Sequence, residues 1–328
     1  MVFAQWKCLT EHSDLQRSSH VAAVIDHNLY VFGGELLPRE PRDNAVFSIN
    51  LDDNAAEVKA IPSSSAPVPR VGTACTSLNN NIYVFSGRGG TAMKPIDEQG
   101  SVWGYDPSTS KWTNFKPADP SAPFPEARSY HCMANDGRSM IFVHAGCPES
   151  GRLSDLWSFD IEDCVWKQLA DAPPPQRGGT SIAFAAGRLW RMNGFDGKTE
   201  QGGTIDVFNS QSNSWTTKKF VTDGVSGPGA RSVAALLPLT IDGRQVLVTL
   251  FGEGDPSSFG HAGAGKMLSD VWIFDIESAK WTKVETESPG PPARGWFDAD
   301  VLGKSIVVVG GLSESNDRLQ DIWQLLFD

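Results

Sequence analysis

No stretch of 18 consecutive apolar residues occurs in the 328-residue chain, so the sequence holds no helix-type membrane span. The opening residues, MVFAQWKCLTEHSD, contain acids and no apolar core of signal length. Cysteine is scarce. Its five copies, Cys8, Cys75, Cys132, Cys147 and Cys164, are odd in number, far apart and without a CxxC pair. That usage points to reduced thiols in a cytoplasmic protein, not to a disulfide framework. Positive charge is the minority sign, 28 Lys and Arg against 39 Asp and Glu, for a net −11. This argues against a nucleic-acid partner or an anionic membrane surface. A sustained 3.6-residue apolar period is also missing, so little helix is expected.

What the chain does have is turn residues, 32 Gly and 21 Pro, and a phrase that returns six times. Each phrase opens on an arginine: Arg17, Arg70, Arg128, Arg177, Arg231 and Arg294. An apolar strand ending in glycine follows: Leu29–Gly34, Ile82–Gly87, Met140–Gly146, Leu189–Gly194, Val246–Gly252 and Ile306–Gly311. A third short strand comes next, as in Val102–Asp106, Leu156–Asp160 and Val271–Asp275. Trp112, Trp166, Trp215 and Trp281 close four of the units. A period near 50 residues with about four short strands is the signature of a propeller blade.

The glycine pair, the aromatic-Asp strand and the lone Trp, repeated along the whole chain, resemble the kelch family. The expected fold is all-β: a six-bladed β-propeller in one domain spanning residues 1–328. The last unit stops after its third strand, and the N-terminal stretch at about residues 3–9 supplies a spare strand with Trp6 where a Trp is missing. Completing the last blade this way leaves no open sheet edge.

Antiparallel order puts the six arginines on the same rim as the loops between second and third strands. The fifth of these loops, EGDPSSFGHAGAGK, holds Glu253, Asp255, Ser257 and His261. Arg88 follows the glycine of the second unit, and in a ring of six the second and fifth units are opposite. A cation facing acids and an imidazole beside Trp296 describes a small-molecule site. Guanidinium groups bind sulfate, phosphate or carboxylate in bidentate fashion, so Arg70, Arg128, Arg177, Arg231 and Arg294 read either as an anion cradle or as structural donors to loop carbonyls. Glu35, Arg88, Cys147, Phe195, Glu253 and Leu312 follow the second-strand glycines and are expected to line the pocket floor. His20 and His131 read as core.

The segment GEGDPSSFGHAGAG, with Ala293–Trp296 and Ser86–Arg88, is similar to the specifier proteins of glucosinolate breakdown. That resemblance implies ferrous iron held by Glu253 and His261, with Ser257 standing where the family has Asp and Asp255 two residues earlier. It implies Arg88 on the anionic leaving group and Trp296 in the pocket wall, both at the reacting centre. The implied activity is Fe(II)-assisted, lyase- or isomerase-like conversion of a small sulfur- or nitrogen-containing metabolite. The alternative, common among kelch propellers, is a protein-interaction module that grips an acidic peptide partner on the arginine face.

Overall fold

Runs of Val, Ile, Phe and Trp four to eight residues long, stopped by Gly, Asn and Asp, favour strands over helices because branched and aromatic side chains pack well on a pleated surface. The computed structural model describes residues 2–52, 56–62, 65–258, 263–287 and 289–327. Among these the fold is all-β apart from one short 3-10 turn, Ser13–Leu15. Six four-stranded units form the blades, four of them separate sheets and two joined in one larger sheet. Blade one is Ser18–Ile25, Asn28–Glu35, Val46–Asn50 and Val58–Ile61; blade two is Ala74–Leu78, Asn81–Phe85, Val102–Asp106 and Lys111–Phe115. Blade three is Cys132–Asn135, Met140–Gly146, Leu153–Asp160 and Val165–Leu169; blade four is Ser181–Ala185, Arg188–Met192, Thr204–Asn209 and Ser214–Lys219. Blade five is Ala235–Ile241, Arg244–Leu250, Val271–Asp275 and Lys280–Glu287. Blade six takes Asp298–Leu302, Ser305–Val309 and Asp321–Phe327 from one end of the chain and Val2–Glu11 from the other.

The ring closes through backbone hydrogen bonds. At the head of each inner strand one residue donates its N–H to the same position of the preceding blade: Gly72 to Ser19, Tyr130 to Gly72, Gly179 to Tyr130, Val233 to Gly179, Trp296 to Val233 and Ser19 to Trp296. A second circle runs outside it. The second-strand glycines Gly34, Gly87, Gly146, Gly194, Gly252 and Gly311 donate to the carbonyls of Arg70, Arg128, Arg177, Arg231, Arg294 and Arg17. These glycines have φ between 85° and 109°, a region in which a Cβ is strained. The recurring glycine is therefore demanded by the turn that joins each blade to the next.

Six apolar clusters fill the six blade interfaces; one, for example, packs Phe85 and Val102 of blade two against Val143 and Trp157 of blade three. The closing tryptophans lie against the aromatic of the third strand at a constant tilt: Tyr105–Trp112, Phe159–Trp166, Phe208–Trp215 and Phe274–Trp281 have ring centroids 4.8–5.1 Å apart and ring planes at 44–49°.

The N-terminal strand does more than the sequence suggests. Besides its antiparallel pairing with Asp321–Phe327, it pairs in parallel with the outer strand of blade five, Val2 opposite Val284 and Gln5 opposite Glu287. Trp6 stacks on Phe251 at 5.6 Å. Blades five and six thus become one eight-stranded sheet.

Candidate binding site at the channel mouth

The six repeat arginines do not form an anion cradle. Arg17, Arg70, Arg128, Arg231 and Arg294 are fully buried and Arg177 nearly so. In every blade Nη1 donates to the carbonyl before the second-strand glycine: Gly33, Ser86, Ala145, Asn193, Phe251 and Gly310. Five arginines also pair with a carboxylate, Arg17 with Asp43, Arg70 with Glu98, Arg128 with Asp155, Arg231 with Asp270 and Arg294 with Asp321. With donors committed and solvent excluded, Arg70, Arg128, Arg231 and Arg294 have nothing to offer a ligand at the mouth. Arg177 differs. Blade four has Thr204 where blades three, five and six have Asp, and among the described residues Arg177 has no carboxylate partner. Burial, then the neighbouring Arg191, lowers its pKa to about 10. Arg191 takes the blade's carboxylate, Asp206, at 2.9 Å.

The residues after the second-strand glycines do gather at the mouth, each bridged to the residue following a repeat arginine: Val71 with Arg88, Ser129 with Cys147, Gly178 with Phe195, Ser232 with Glu253 and Gly295 with Leu312. Two cavities open among them. One, about 220 Å³, is polar and bordered by Glu35, Arg39, Arg88, Cys147, Glu149 and Arg152. The other, about 100 Å³ and mostly apolar, is bordered by Cys147, Arg152, Phe195, Glu253, Ser257 and Trp296. Arg88 and Glu253 therefore border neighbouring cavities, with Tyr130, Cys147 and Arg152 common to both.

Arg88 is held by three short bonds, Nε to the Ser129 hydroxyl at 2.6 Å, Nη1 to the Met93 carbonyl at 3.1 Å and Nη2 to the Pro148 carbonyl at 2.6 Å, with a longer one to Cys147. Five guanidinium N–H groups against four acceptors leave at least one for a ligand. Arg152 donates Nε to the Phe195 carbonyl at 3.0 Å and lies over the Phe195 ring. Glu35 is paired with Arg318 and Glu149 with Lys94. Among the described residues Arg39, Arg88 and Arg152 have no carboxylate partner, so the polar cavity is positive in a protein of net −11.

The opposite wall carries carboxyl groups whose pKa burial raises. Glu253 is buried, and its Oε1 accepts the Gly265 amide at 2.8 Å while the Ser257 amide also donates to the carboxylate. Burial pushes its pKa up to about 7 against those two bonds. A Cβ on Gly265 would strike the Asp255 carbonyl and the Glu253 carboxylate, so the glycine-rich loop is what allows the chain to fold over Glu253. Glu200, which the sequence did not single out, lies close by; burial pushes it up to about 8, and Glu253 and Asp255 add to the effect. Asp255 is exposed, and Ser257 is half-buried at the edge of the apolar cavity. His261 lies outside the described residues.

Behind both cavities runs the axial channel, about 460 Å³. Its mouth-side end is the inner hydrogen-bonded circle, where Ser19, Gly72, Tyr130, Gly179, Val233 and Trp296 all have φ between 46° and 60°. Tyr130 and Trp296 are the bulky members. His20 and His131 are buried at the next position, and burial lowers both imidazoles to about 3, so they are neutral core residues. Sequence reasoning missed Tyr130 and Arg152. A tyrosine at the place where blades two and four have glycine was the available signal for the first; no signal marked the second.

The KLHDC2/KLHL20/DRC7 kelch-repeats domain model matches residues 19–252. Among curated relatives, the N-(sulfonatooxy)prop-2-enimidothioate sulfolyase of Thlaspi arvense is 26% identical over 335 residues, covering 94% of this chain and 91% of that protein. Adagio-like protein 1 of Oryza sativa subsp. japonica is 28% identical and covers 98% of this chain but only 51% of its own length. Among solved structures, YjhT superimposes with a TM-score of 0.70 over 93% of both chains at 15% identity, a likeness of fold. With the repeats, the closed ring and the family match in agreement, the chain belongs to the KLHDC2/KLHL20/DRC7 kelch-repeat family.

Proposed function

We propose that the mouth binds a small anionic metabolite, as a specifier-like kelch protein would. The observation that carries this reading is the polar cavity whose Glu35 and Glu149 are neutralised by Arg318 and Lys94 while Arg39, Arg88 and Arg152 keep their charge. The anionic group sits against Arg88 and Arg152, and the apolar part of the ligand enters the smaller cavity beside Phe195 and Trp296. Guanidinium N–H groups fixed in advance stabilise negative charge at no reorganisation cost, so they also favour departure of an anionic leaving group. Glu253, near neutrality in acidity, is the group placed to hold or accept a proton there.

Ferrous iron is the cofactor that the specifier resemblance implies. Among the described residues no three carboxylate, thiol or imidazole groups converge, and the Glu253 carboxylate is already engaged by loop amides. The described part of the loop does not by itself fit such an ion. Anaerobic calorimetry with Fe(II) on metal-free protein tests the remaining proposal that Glu253 and His261, with Asp255 or Ser257, hold iron. Uptake lost in Glu253→Ala and in His261→Ala supports it; no uptake by the unaltered protein removes it.

A second reading has one observation of its own. Leu36 and Leu37 are exposed in the loop that begins at the mouth residue Glu35, and an apolar step beside a positive cavity suits an acidic peptide of a protein partner. A peptide of alternating Asp and Leu that binds with a Kd below about 10 µM, and loses that affinity in Leu36→Ser with Leu37→Ser, favours it.

A further inference from the structure

The axial channel and the mouth cavities share the residues of the inner circle as a common wall. Tyr130 borders all three cavities; Trp296, Val233 and Gly179 border the channel and the apolar cavity, and Tyr130 and Trp296 are the bulky members of that shared wall. The Tyr130 ring lies on Gly72 of the neighbouring blade: a Cβ there would come within 3.0 Å of Cε1 and 3.1 Å of Cζ. Its hydroxyl reaches Ser19, one blade further round. One tyrosine thus spans three of the six inner positions. Both aromatics hold φ of 50°, a left-handed conformation that is unfavourable for bulky residues and that Gly72 and Gly179 adopt freely at the same place.

From this we infer that Tyr130, with Trp296 beside it, is the septum that fixes the depth of the mouth pocket and so limits the length of the apolar group a ligand can carry. With the septum in place the apolar compartment is about 100 Å³. Without it that compartment joins the channel of about 460 Å³. The backbone does not need a tyrosine at this position, because two blades of the same ring use glycine. The inference rests on the reading of the mouth as an anion pocket and adds the ligand class: a short-chain anion.

The test is calorimetric titration with a series of linear alkanesulfonates, from methanesulfonate to octanesulfonate, against the unaltered protein, Tyr130→Gly and Tyr130→Phe, with circular dichroism to confirm folding. In the unaltered protein affinity rises by roughly fourfold per methylene over the first few carbons and then falls. Tyr130→Gly moves the fall to longer chains and binds octanesulfonate at least about tenfold more tightly, while Tyr130→Phe keeps the original cut-off. Trp296→Gly takes the place of Tyr130→Gly if the latter does not fold. The same cut-off in the glycine variant as in the unaltered protein overturns the septum. Absence of binding for every member in every variant overturns the anion pocket beneath it.

Discussion

At the scale of single residues, the repeat arginines are the clearest case of chemistry that a sequence shows without assigning its role. Their regular spacing invites a ligand-binding ring, yet each guanidinium is spent on a carbonyl of its own blade, and five of them on a carboxylate as well. Breaking such a pair leaves a buried charge alone. Arg128→Ala should therefore cost about 3–5 kcal/mol, read as a lower midpoint in urea at unchanged slope, through the stranded Asp155. Arg177 gives the converse. Thr204→Asp supplies the carboxylate that blade four lacks and should add about 1 kcal/mol, seen as a thermal midpoint raised by a few degrees; an unchanged or lower midpoint would show that Arg191 and Asp206 already satisfy the site. The residues that face the cavities, Arg39, Arg88 and Arg152, stand outside the repeat, and Arg88 alone was legible because it follows a glycine that the repeat marks.

At the scale of elements, the seams between blades decide stability. Most of the strand plan was readable, since glycines at φ near 100° and strand-ending Asp residues are imposed by the turns. The parallel pairing of residues 2–5 with blade five was not, because register between outer strands of different blades has no sequence period. Trp6 fastens that seam, and Trp6→Ala should destabilise by about 3–5 kcal/mol, measured by chemical denaturation. The seam between blades six and one is closed differently: Asp298 accepts the Ala22 amide and Asp300 the Val24 amide, both at 2.7 Å. Burial raises these carboxyls to about 7 and about 6. Because both lie above the unfolded value of 3.8, the folded state holds protons that the unfolded state releases. Their contribution is complete below about pH 4 and is lost as pH rises through 6 to 7. Denaturation midpoints should thus fall between pH 5 and pH 8 by more in the unaltered protein than in Asp298→Asn with Asp300→Asn; equal slopes would assign the pH dependence to other groups.

At the scale of the whole molecule, a circle of six hydrogen bonds brings residues distant in sequence to one mouth, and strand order alone tells which loops share that rim. Which side chains line the mouth it does not tell, because the ring buries the conspicuous arginines and leaves the polar cavity to loop residues outside the repeat. The two walls of that mouth differ in chemistry, with Arg39, Arg88 and Arg152 at blades one to three and buried carboxyls, Glu200 and Glu253, across from them, and the proposed anion pocket rests on that difference. The direct measurement is calorimetric titration of methanesulfonate into the unaltered protein and into Arg88→Gln with Arg152→Gln at fixed ionic strength. One binding event per chain, weakened at least about tenfold by the double substitution, is the predicted result. No heat above dilution, or an affinity the substitution leaves untouched, would contradict the assignment of the mouth as an anion pocket.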